Sequence, residues 1–125
     1  MFDTINHVAI IVSDLNISKK FYIDKLGFEL MQEINRGSRG TITYLDAGNI
    51  IIELFCFPDA PKRLSYPEAC GLRHLALNTN DFDDVVKKLN EANVETEPVR
   101  IDEKTRKRMT FFKDPDGLPL EICES

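Results

Sequence analysis

The sequence has no tryptophan, two histidines and three cysteines among its 125 residues. The cysteines are odd in number and form no Cys-x-x-Cys pair, which favours reduced core thiols over a disulfide framework. Acidic residues outnumber basic ones by 21 to 16 and the net charge is −5, so we expect no nucleic-acid partner. No run approaches the ~18 apolar residues of a membrane span, and no cleavable leader is recognisable, so we expect a cytoplasmic protein without a membrane partner.

Both histidines lie in a duplicated segment. His7 opens His-Val-Ala-Ile-Ile-Val-Ser-Asp, and His74 opens His-Leu-Ala-Leu-Asn-Thr-Asn-Asp, 67 residues further on. Two glutamates follow a shift of 68 residues, from Glu53 in Glu-Leu-Phe-Cys to Glu121 in Glu-Ile-Cys-Glu. A chain built from two copies of one unit can bring equivalent residues around a pseudo-twofold axis.

The order of expected elements also repeats. Alternating or continuous apolar residues predict strands, Asp14 and Asp81 can cap helices, and Gly27 can end the first helix. The first helix should direct Ile17 and Phe21 inward with Tyr22 and Leu26. The expected strands are 5–12, 28–35, 41–47 and 49–56, then 72–79, 94–101, 107–113 and 118–124.

These elements predict an α+β fold in which two βαβββ modules make one domain. Module one covers about 1–57 and module two about 72–125, within a single domain 1–125. The segment 58–71 contains three prolines and is expected to be a linker, because proline interrupts sheet ladders. Since neither module can bury both faces of its sheet, the modules should pair.

A metal site is the interpretation that accounts for the four duplicated residues together. Glu53 and Glu121 stand in otherwise apolar strands, where an ionised carboxylate is costly unless a cation holds it. Taken singly, each glutamate would suit an edge position facing water, and each histidine a hydrogen-bonded core position. The coincidence of all four under one repeat favours metal binding by His7, Glu53, His74 and Glu121.

Two imidazoles and two carboxylates suit Zn²⁺ or Ni²⁺, and Mn²⁺ or Co²⁺ are possible alternatives. Such an ion would act as a Lewis acid on substrate oxygens, and a carboxylate could move a proton between neighbouring carbons. Arg36, Arg39 and Arg108 are candidate contacts for a substrate carboxylate or phosphate, although most basic runs are solvated surface. Phe111 and Phe112 are assigned to the core.

Several of these motifs together resemble those of a known family. The opening His-Val-Ala-Ile, Phe21-Tyr22 with Leu26-Gly27-Phe28, the central Arg-His-Leu-Ala and the closing Asp-Pro-Asp-Gly with Glu121 resemble the vicinal oxygen chelate superfamily. The resemblance spans essentially the whole chain and is strongest to short, bacterial glyoxalase I-type proteins. It implies a cupped mixed sheet around a divalent metal, frequently across a homodimer.

The resemblance also implies roles. Glyoxalase I takes His or Gln, Glu, His and Glu in that order, and the four residues here match that set. Fosfomycin-resistance enzymes and extradiol dioxygenases lack a ligand at the place of Glu53, and methylmalonyl-CoA epimerases usually carry Gln there. The implied reaction isomerises a hemithioacetal to a 2-hydroxyacyl thioester through an enediolate, with Glu121 as principal base and Glu53 as an assisting ligand.

One feature departs from the family pattern. Glutathione-dependent members typically carry an arginine four residues after the first ligand and an asparagine four after the second, where this chain has Ile11 and Phe57. The metal chemistry is thus expected with a different thiol or another small α-hydroxycarbonyl substrate. The alternatives are an acyl-CoA epimerase, a thiol transferase or hydrolase of the same fold, and a module that binds a small molecule. We also expect a homodimer, because each module leaves a sheet edge and an apolar face for a partner.

Overall fold

The structure is a computed structural model that describes residues 1–125. The chain divides into two compact units, Met1–Lys62 and Arg63–Ser125. The division falls inside the segment 58–71 that the prolines mark as a linker. Neither helix combines the length and apolar character that crossing a membrane requires.

Unit 1 contains one four-stranded mixed sheet and one helical segment. Its strands run in the spatial order β1-β4-β3-β2, with β1 parallel to β4 and the other pairs antiparallel. The strands are β1 (His7–Ile11), β2 (Glu29–Asn35), β3 (Thr41–Asp46) and β4 (Ile51–Cys56). Helix α1 (Leu15–Lys19) continues into a π-helical turn (Lys20–Lys25), and a 3₁₀ turn (Gly37–Arg39) joins β2 to β3.

Unit 2 repeats this arrangement. Its strands run in the order β5-β8-β7-β6, with β5 parallel to β8 and the remaining pairs antiparallel. The elements are β5 (Leu75–Thr79), α2 (Phe82–Glu91), β6 (Arg100–Ile101), β7 (Arg108–Lys113) and β8 (Pro119–Glu124). Two four-stranded mixed sheets with few helices confirm the predicted α+β class and the duplication of the βαβββ order.

Both helices begin where the sequence predicts. The Asp14 carboxylate accepts a hydrogen bond from the Ile17 amide at 3.1 Å, and the Asp81 carboxylate accepts from the Asp84 amide at 3.3 Å. Each cap satisfies a backbone donor that has no partner inside the first helical turn. The first helix differs from expectation further on, because Ile17 is 55% exposed and Ser18 is buried in its place.

The strand predicted at 94–101 forms a ladder only at its end, over β6. Pro98 has no amide hydrogen, so it cannot take part in regular pairing. The preceding stretch makes isolated contacts instead: the Glu97 amide donates to Phe111 O at 2.9 Å, and the Thr110 hydroxyl donates to Glu97 O at 2.7 Å. The sheet of unit 2 is therefore shorter at this edge than the sheet of unit 1.

Strand alternation divides each sheet into two faces. One face of unit 1 carries Ile52 and Leu54 into a core completed by the helical segment, where Phe21 and Tyr22 are buried. The other face carries Glu53 and its neighbours. Unit 2 has the same division, and its core residues are Phe82, Leu89, Val94, Phe112, Leu118, Leu120 and Ile122.

Gly40 gives a direct test of the loop that joins β2 and β3. Its φ of +83° and its contact with the Cys56 carbonyl leave no room for a Cβ, whereas Gly37 has φ of +61° and open space around it. We expect Gly40→Ala to lower the free energy of unfolding by about 3 kcal/mol and the matched control Gly37→Ala by about 1 kcal/mol. Urea unfolding followed by circular dichroism measures both, and equal losses would contradict the contact with β4.

Candidate metal centre

The first histidine–glutamate pair lies on the face of unit 1 opposite the helix. Ala9 of β1 pairs in register with Glu53 of β4, and His7 precedes Ala9 by two residues on the same face. His7 Nε2 lies 3.0 Å from Glu53 Oε2. The glutamate is 9% exposed, while the histidine side chain is 42% exposed. The carboxylate is thus buried, and the imidazole is the more exposed member of the pair.

The second pair repeats this geometry in unit 2. Ala76 of β5 pairs in register with Glu121 of β8, and His74 immediately precedes β5. His74 Nε2 lies 3.0 Å from Glu121 Oε2, and the glutamate is 8% exposed. The two pairs therefore share register, distance and burial, as a duplicated unit requires.

The hydrogen bond at Nδ1 of His7 determines what Nε2 can do. Nδ1 lies 2.7 Å from Asn6 Oδ1, which can only accept, so Nδ1 carries the hydrogen. In the neutral ring, the lone pair of Nε2 then faces a carboxylate oxygen of Glu53 at 3.0 Å. Two electron-rich atoms at this distance require a positive centre, either a proton or a metal ion. The first pair is therefore oriented for a cation.

The contact at Nδ1 of His74 has the opposite polarity. Arg73 Nη1 lies 3.0 Å from this nitrogen, and a guanidinium can only donate, so Nδ1 accepts. In the neutral ring Nε2 then carries the hydrogen and donates it to Glu121. Metal binding through Nε2 would require that hydrogen to move to Nδ1 and Arg73 to turn away. Arg73 already contacts Glu68, with Nε 2.8 Å from its carboxylate.

The residues opposite the two glutamates differ. Tyr44 of β3 pairs in register with Glu53, and Phe111 of β7 pairs with Glu121. The Phe111 ring meets the His74 ring edge to face, with centroids 5.1 Å apart. Phe111 thus lies beside the second pair and is half-buried, in contrast to the core position assigned to it from the sequence, whereas Phe112 is buried in the core as predicted.

Cys123 lies on the same strand face as Glu121, two residues further along β8. Burial and the neighbouring Glu121 carboxylate together raise the pKa of the Cys123 thiol to about 11. The thiol therefore remains protonated at neutral pH, and it is a poor metal ligand or nucleophile.

The donor chemistry of each pair fits a divalent ion. Adjacent ligands bound at about 2.1 Å on an octahedral ion lie about 3.0 Å apart, which is the Nε2–Oε2 distance in both pairs. Within residues 1–125, however, no group of three or more histidine, cysteine, aspartate or glutamate side chains is arranged to hold a metal ion. Each pair accordingly contains two of the four residues predicted as ligands.

The three candidate arginines occupy different environments. The Arg36 guanidinium lies over the rings of Phe55 and Phe57, with its carbon 5.6 and 5.8 Å from their centroids. Arg39 is exposed, and its carbonyl accepts a hydrogen bond from Arg36 Nη2 at 2.7 Å. Arg36 is thus fixed on the face of β4 that carries Glu53, and Arg39 supports it through the backbone.

Arg108 is on the other face of its sheet. It lies three residues before Phe111 on β7, so strand alternation directs its side chain away from Glu121 and towards α2. There its guanidinium binds Glu124 and Asp83, each at 2.8 Å, and lies 4.9 Å from the centroid of the Phe82 ring. These contacts are structural, and within unit 2 Arg108 does not reach the face that carries Glu121.

Three supporting residues were not found by sequence reasoning. Asn6 and Arg73 each precede a candidate ligand histidine and contact its Nδ1, and Tyr44 is the register partner of Glu53 on the neighbouring strand. The residue before each histidine was the available signal. Its polarity could be read from the sequence, but its hydrogen bond depends on the turn into the strand.

Comparison with known families agrees with the duplicated fold. The Glyoxalase/Bleomycin resistance protein/Dioxygenase superfamily matches residues 4–122, nearly the whole chain. The chain therefore belongs to this superfamily, the vicinal oxygen chelate superfamily named above.

The similar relatives cover the chain end to end. It is 51% identical to "Uncharacterized protein YwkD" of Bacillus subtilis, over 99% of this chain and 98% of that one. A crystal structure described as a glyoxalase family protein from Enterococcus faecalis superposes with a TM-score of 0.92 at 48% identity, covering 98% of each chain. More distant relatives carry the names of activities: Glyoxylase I 4 of Arabidopsis thaliana is 28% identical over 96% of this chain and 70% of its own. Metallothiol transferase FosB of Staphylococcus epidermidis is 30% identical over 95% of this chain and 80% of its own.

The structural role of Arg108 has a testable pH dependence. Hydrogen bonds from the Arg108 side chain and amide lower the pKa of Glu124 from 4.5 to about 2. Because this pKa is depressed in the folded chain, the interaction stabilises the fold above pH about 4.5 and loses its contribution as pH falls towards 2. We expect Arg108→Met to lower the free energy of unfolding at pH 7, and the difference from wild type to shrink across that range.

Urea unfolding at a series of pH values measures this difference. Arg106→Met is the matched control, because Arg106 lies on the same segment with an exposed side chain. If Arg108→Met lowers the free energy of unfolding by the same amount at every pH, the ion pair with Glu124 does not stabilise the fold.

Proposed function

We propose that this protein is a divalent-metal-dependent lyase of the glyoxalase I type. It would isomerise the adduct of a 2-oxoaldehyde and a small thiol to a 2-hydroxyacyl thioester. The observation that carries the proposal is the repeated pair, a buried glutamate with an imidazole Nε2 3.0 Å away, at equivalent register in both units. The similarity to Glyoxylase I 4 supports the same reaction class.

The proposed ligands of a single ion are His7, Glu53, His74 and Glu121. Zinc or nickel suits this mixture of nitrogen and oxygen donors, and manganese or cobalt is the alternative. When bound, the ion would supply Lewis acidity to substrate oxygens.

Glu121 is the proposed base. Its side chain is buried, and Phe111 is its register partner on the neighbouring strand. It would take the proton from the carbon that bears the sulfur and return it to the neighbouring carbon, which converts the hemithioacetal into the thioester without net redox change. Glu53, on the equivalent strand of the other unit, would assist from the opposite side of the substrate.

The thiol is proposed to be one other than glutathione. Ile11 and Phe57 stand where glutathione-dependent members typically carry an arginine and an asparagine. Ile11 is 57% exposed and pairs with Phe55 on the face that carries Glu53, so it offers the ligand an apolar contact.

A cytoplasmic location stays a prediction.

Glu121→Gln tests the proposed base while keeping the fold intact. The amide keeps the shape of the side chain but cannot accept a proton, so we expect at least about a hundredfold loss of kcat with unchanged circular dichroism. The assay is turnover of methylglyoxal with a panel of thiols in the presence of Ni²⁺ or Zn²⁺. Glu95→Gln is the control, because this glutamate is exposed.

Full activity of Glu121→Gln would show that another group is the base. Protein that gains no divalent ion from Ni²⁺, Zn²⁺, Mn²⁺ or Co²⁺, measured by elemental analysis, would favour a module that binds a small molecule without catalysis.

Thiol transfer to an electrophile is the second candidate, because FosB relatives are named as metallothiol transferases. The product distinguishes it from the lyase. A thioether formed from a thiol and fosfomycin would support transferase activity, and a 2-hydroxyacyl thioester formed from methylglyoxal would support the lyase. An acyl-CoA epimerase would instead return the same constitution with inverted configuration at one carbon.

A homodimer is proposed as the assembly that completes the ligand set. Each unit provides a two-ligand pair and leaves a sheet edge for a partner. Sedimentation should therefore give a species of twice 14.3 kDa at micromolar concentration. Each ion would take one pair from each of two copies.

Complementation between variants tests this sharing. One variant carries His7→Ala with Glu53→Ala, and the other carries His74→Ala with Glu121→Ala. If the ion is shared between copies, mixing the two inactive variants should restore activity, because one site of each mixed dimer contains both intact pairs. Stable mixed dimers without activity or bound metal would place the whole ligand set within one chain.

A further inference from the structure

The loop between β2 and β3 is anchored to the end of β4. The Arg36 amide donates to Gly40 O at 2.9 Å, and the Gly37 amide donates to the Asn35 side chain at 2.8 Å. Gly40 packs against the Cys56 carbonyl so closely that only a glycine fits. The position of Arg36 relative to β4 is therefore fixed by the backbone.

The Arg36 side chain is held more firmly than a surface arginine. Its guanidinium is over the rings of Phe55 and Phe57, and Nη2 donates to the carbonyl of Arg39 at 2.7 Å. Nε is buried and has no acceptor. An unpaired buried donor costs stability, so the loop fixes this guanidinium at some expense to the fold.

The remaining donors of Arg36 are on the side of the sheet that carries Glu53. Phe55 follows Glu53 by two residues on β4, so the two side chains share a face and lie about 7 Å apart along the strand. Nη2 donates to Arg39 O, no acceptor for Nη1 is found within unit 1, and the residue is only partly covered. A planar fork held by two rings and one carbonyl can receive the two oxygens of an oxyanion.

We propose that Arg36 binds an oxyanion on the substrate, so that the substrate is an α-hydroxycarbonyl adduct with a carboxylate or phosphate at one end. This inference rests on the proposed function, because that function assigns Glu53 to the reaction site and the oxyanion is placed relative to Glu53. The anion belongs either to the thiol part or to the carbonyl part of the adduct. The rings of Phe55 and Phe57 hold the Arg36 guanidinium in place, whereas Arg39 is exposed.

Anion binding can be tested on metal-free protein, where catalysis plays no part. Inorganic phosphate and acetate are titrated into ¹⁵N-labelled protein, and the Nε–H resonances of the arginines are followed by NMR. We expect a saturable shift at Arg36 and none at Arg39. Arg36→Gln should weaken phosphate binding at least about tenfold, and the matched control Arg39→Gln should leave it unchanged.

Arg36→Lys covers the case in which Arg36→Gln fails to fold, because lysine keeps the charge but loses the planar fork. It should bind phosphate more weakly than wild type. No saturable shift at Arg36, or equal effects of the Arg36 and Arg39 substitutions, would overturn the proposal and leave Arg36 as a clamp for its loop.

Turnover then locates the anion within the substrate. Methylglyoxal is assayed with mercaptoacetate and with 2-mercaptoethanol, which differ in the carboxylate. If the anion is on the thiol, Arg36→Gln should raise KM for the mercaptoacetate adduct with little change in kcat and leave the other adduct unaffected. If the anion is on the carbonyl part, Arg36→Gln should raise KM with little change in kcat when the 2-oxoaldehyde carries a phosphate. Phosphate binding at Arg36 without turnover of any adduct would reject the lyase and retain the oxyanion site.

Discussion

A carboxylate removed from water requires a positive centre beside it, and each sheet of this protein buries one such group. Glu53 and Glu121 are nearly covered, and in both cases the neighbouring partner is an imidazole Nε2 at 3.0 Å. The parallel pairing of the first and last strands of each unit creates this arrangement, since it aligns an alanine with each glutamate.

The two halves are equivalent in register but not in electrostatics. Asn6 accepts from Nδ1 of His7, so Nε2 of that ring is left with a lone pair. Arg73 donates to Nδ1 of His74, so Nε2 of that ring carries a hydrogen. In the first pair, a cation can therefore lie between Nε2 of His7 and the Glu53 carboxylate. In the second pair, the hydrogen on Nε2 of His74 already bonds to Glu121. Metal binding through Nε2 of His74 would displace the Arg73 contact, and Glu68 lies where it can keep Arg73 paired.

Sequence reasoning predicted what depends on local pattern. Periodicity gave the βαβββ order, the capping residues Asp14 and Asp81 gave the helix starts, and the duplication identified the two histidine–glutamate pairs. It did not predict the π-helical turn after α1 or the exposure of Ile17, because both depend on how the helix packs against its sheet. The shortened strand β6 could have been predicted from Pro98. The hydrogen-bond polarity at each histidine could not, because it depends on the turn geometry that places Asn6 and Arg73.

Strand alternation decides which charged residues are available to chemistry. Arg36 and Arg108 are equivalent as cations near a predicted strand, and composition cannot distinguish them. Arg108 is an odd number of residues from Phe111, so it lies on the helix face and is neutralised by Glu124 and Asp83. Arg36 instead lies over the ring of Phe55, an even number of residues from Glu53, and its buried Nε has no acceptor. A charge paired on the core side stabilises the fold, whereas the charge of Arg36, on the carboxylate side, is the one we propose for an anionic ligand.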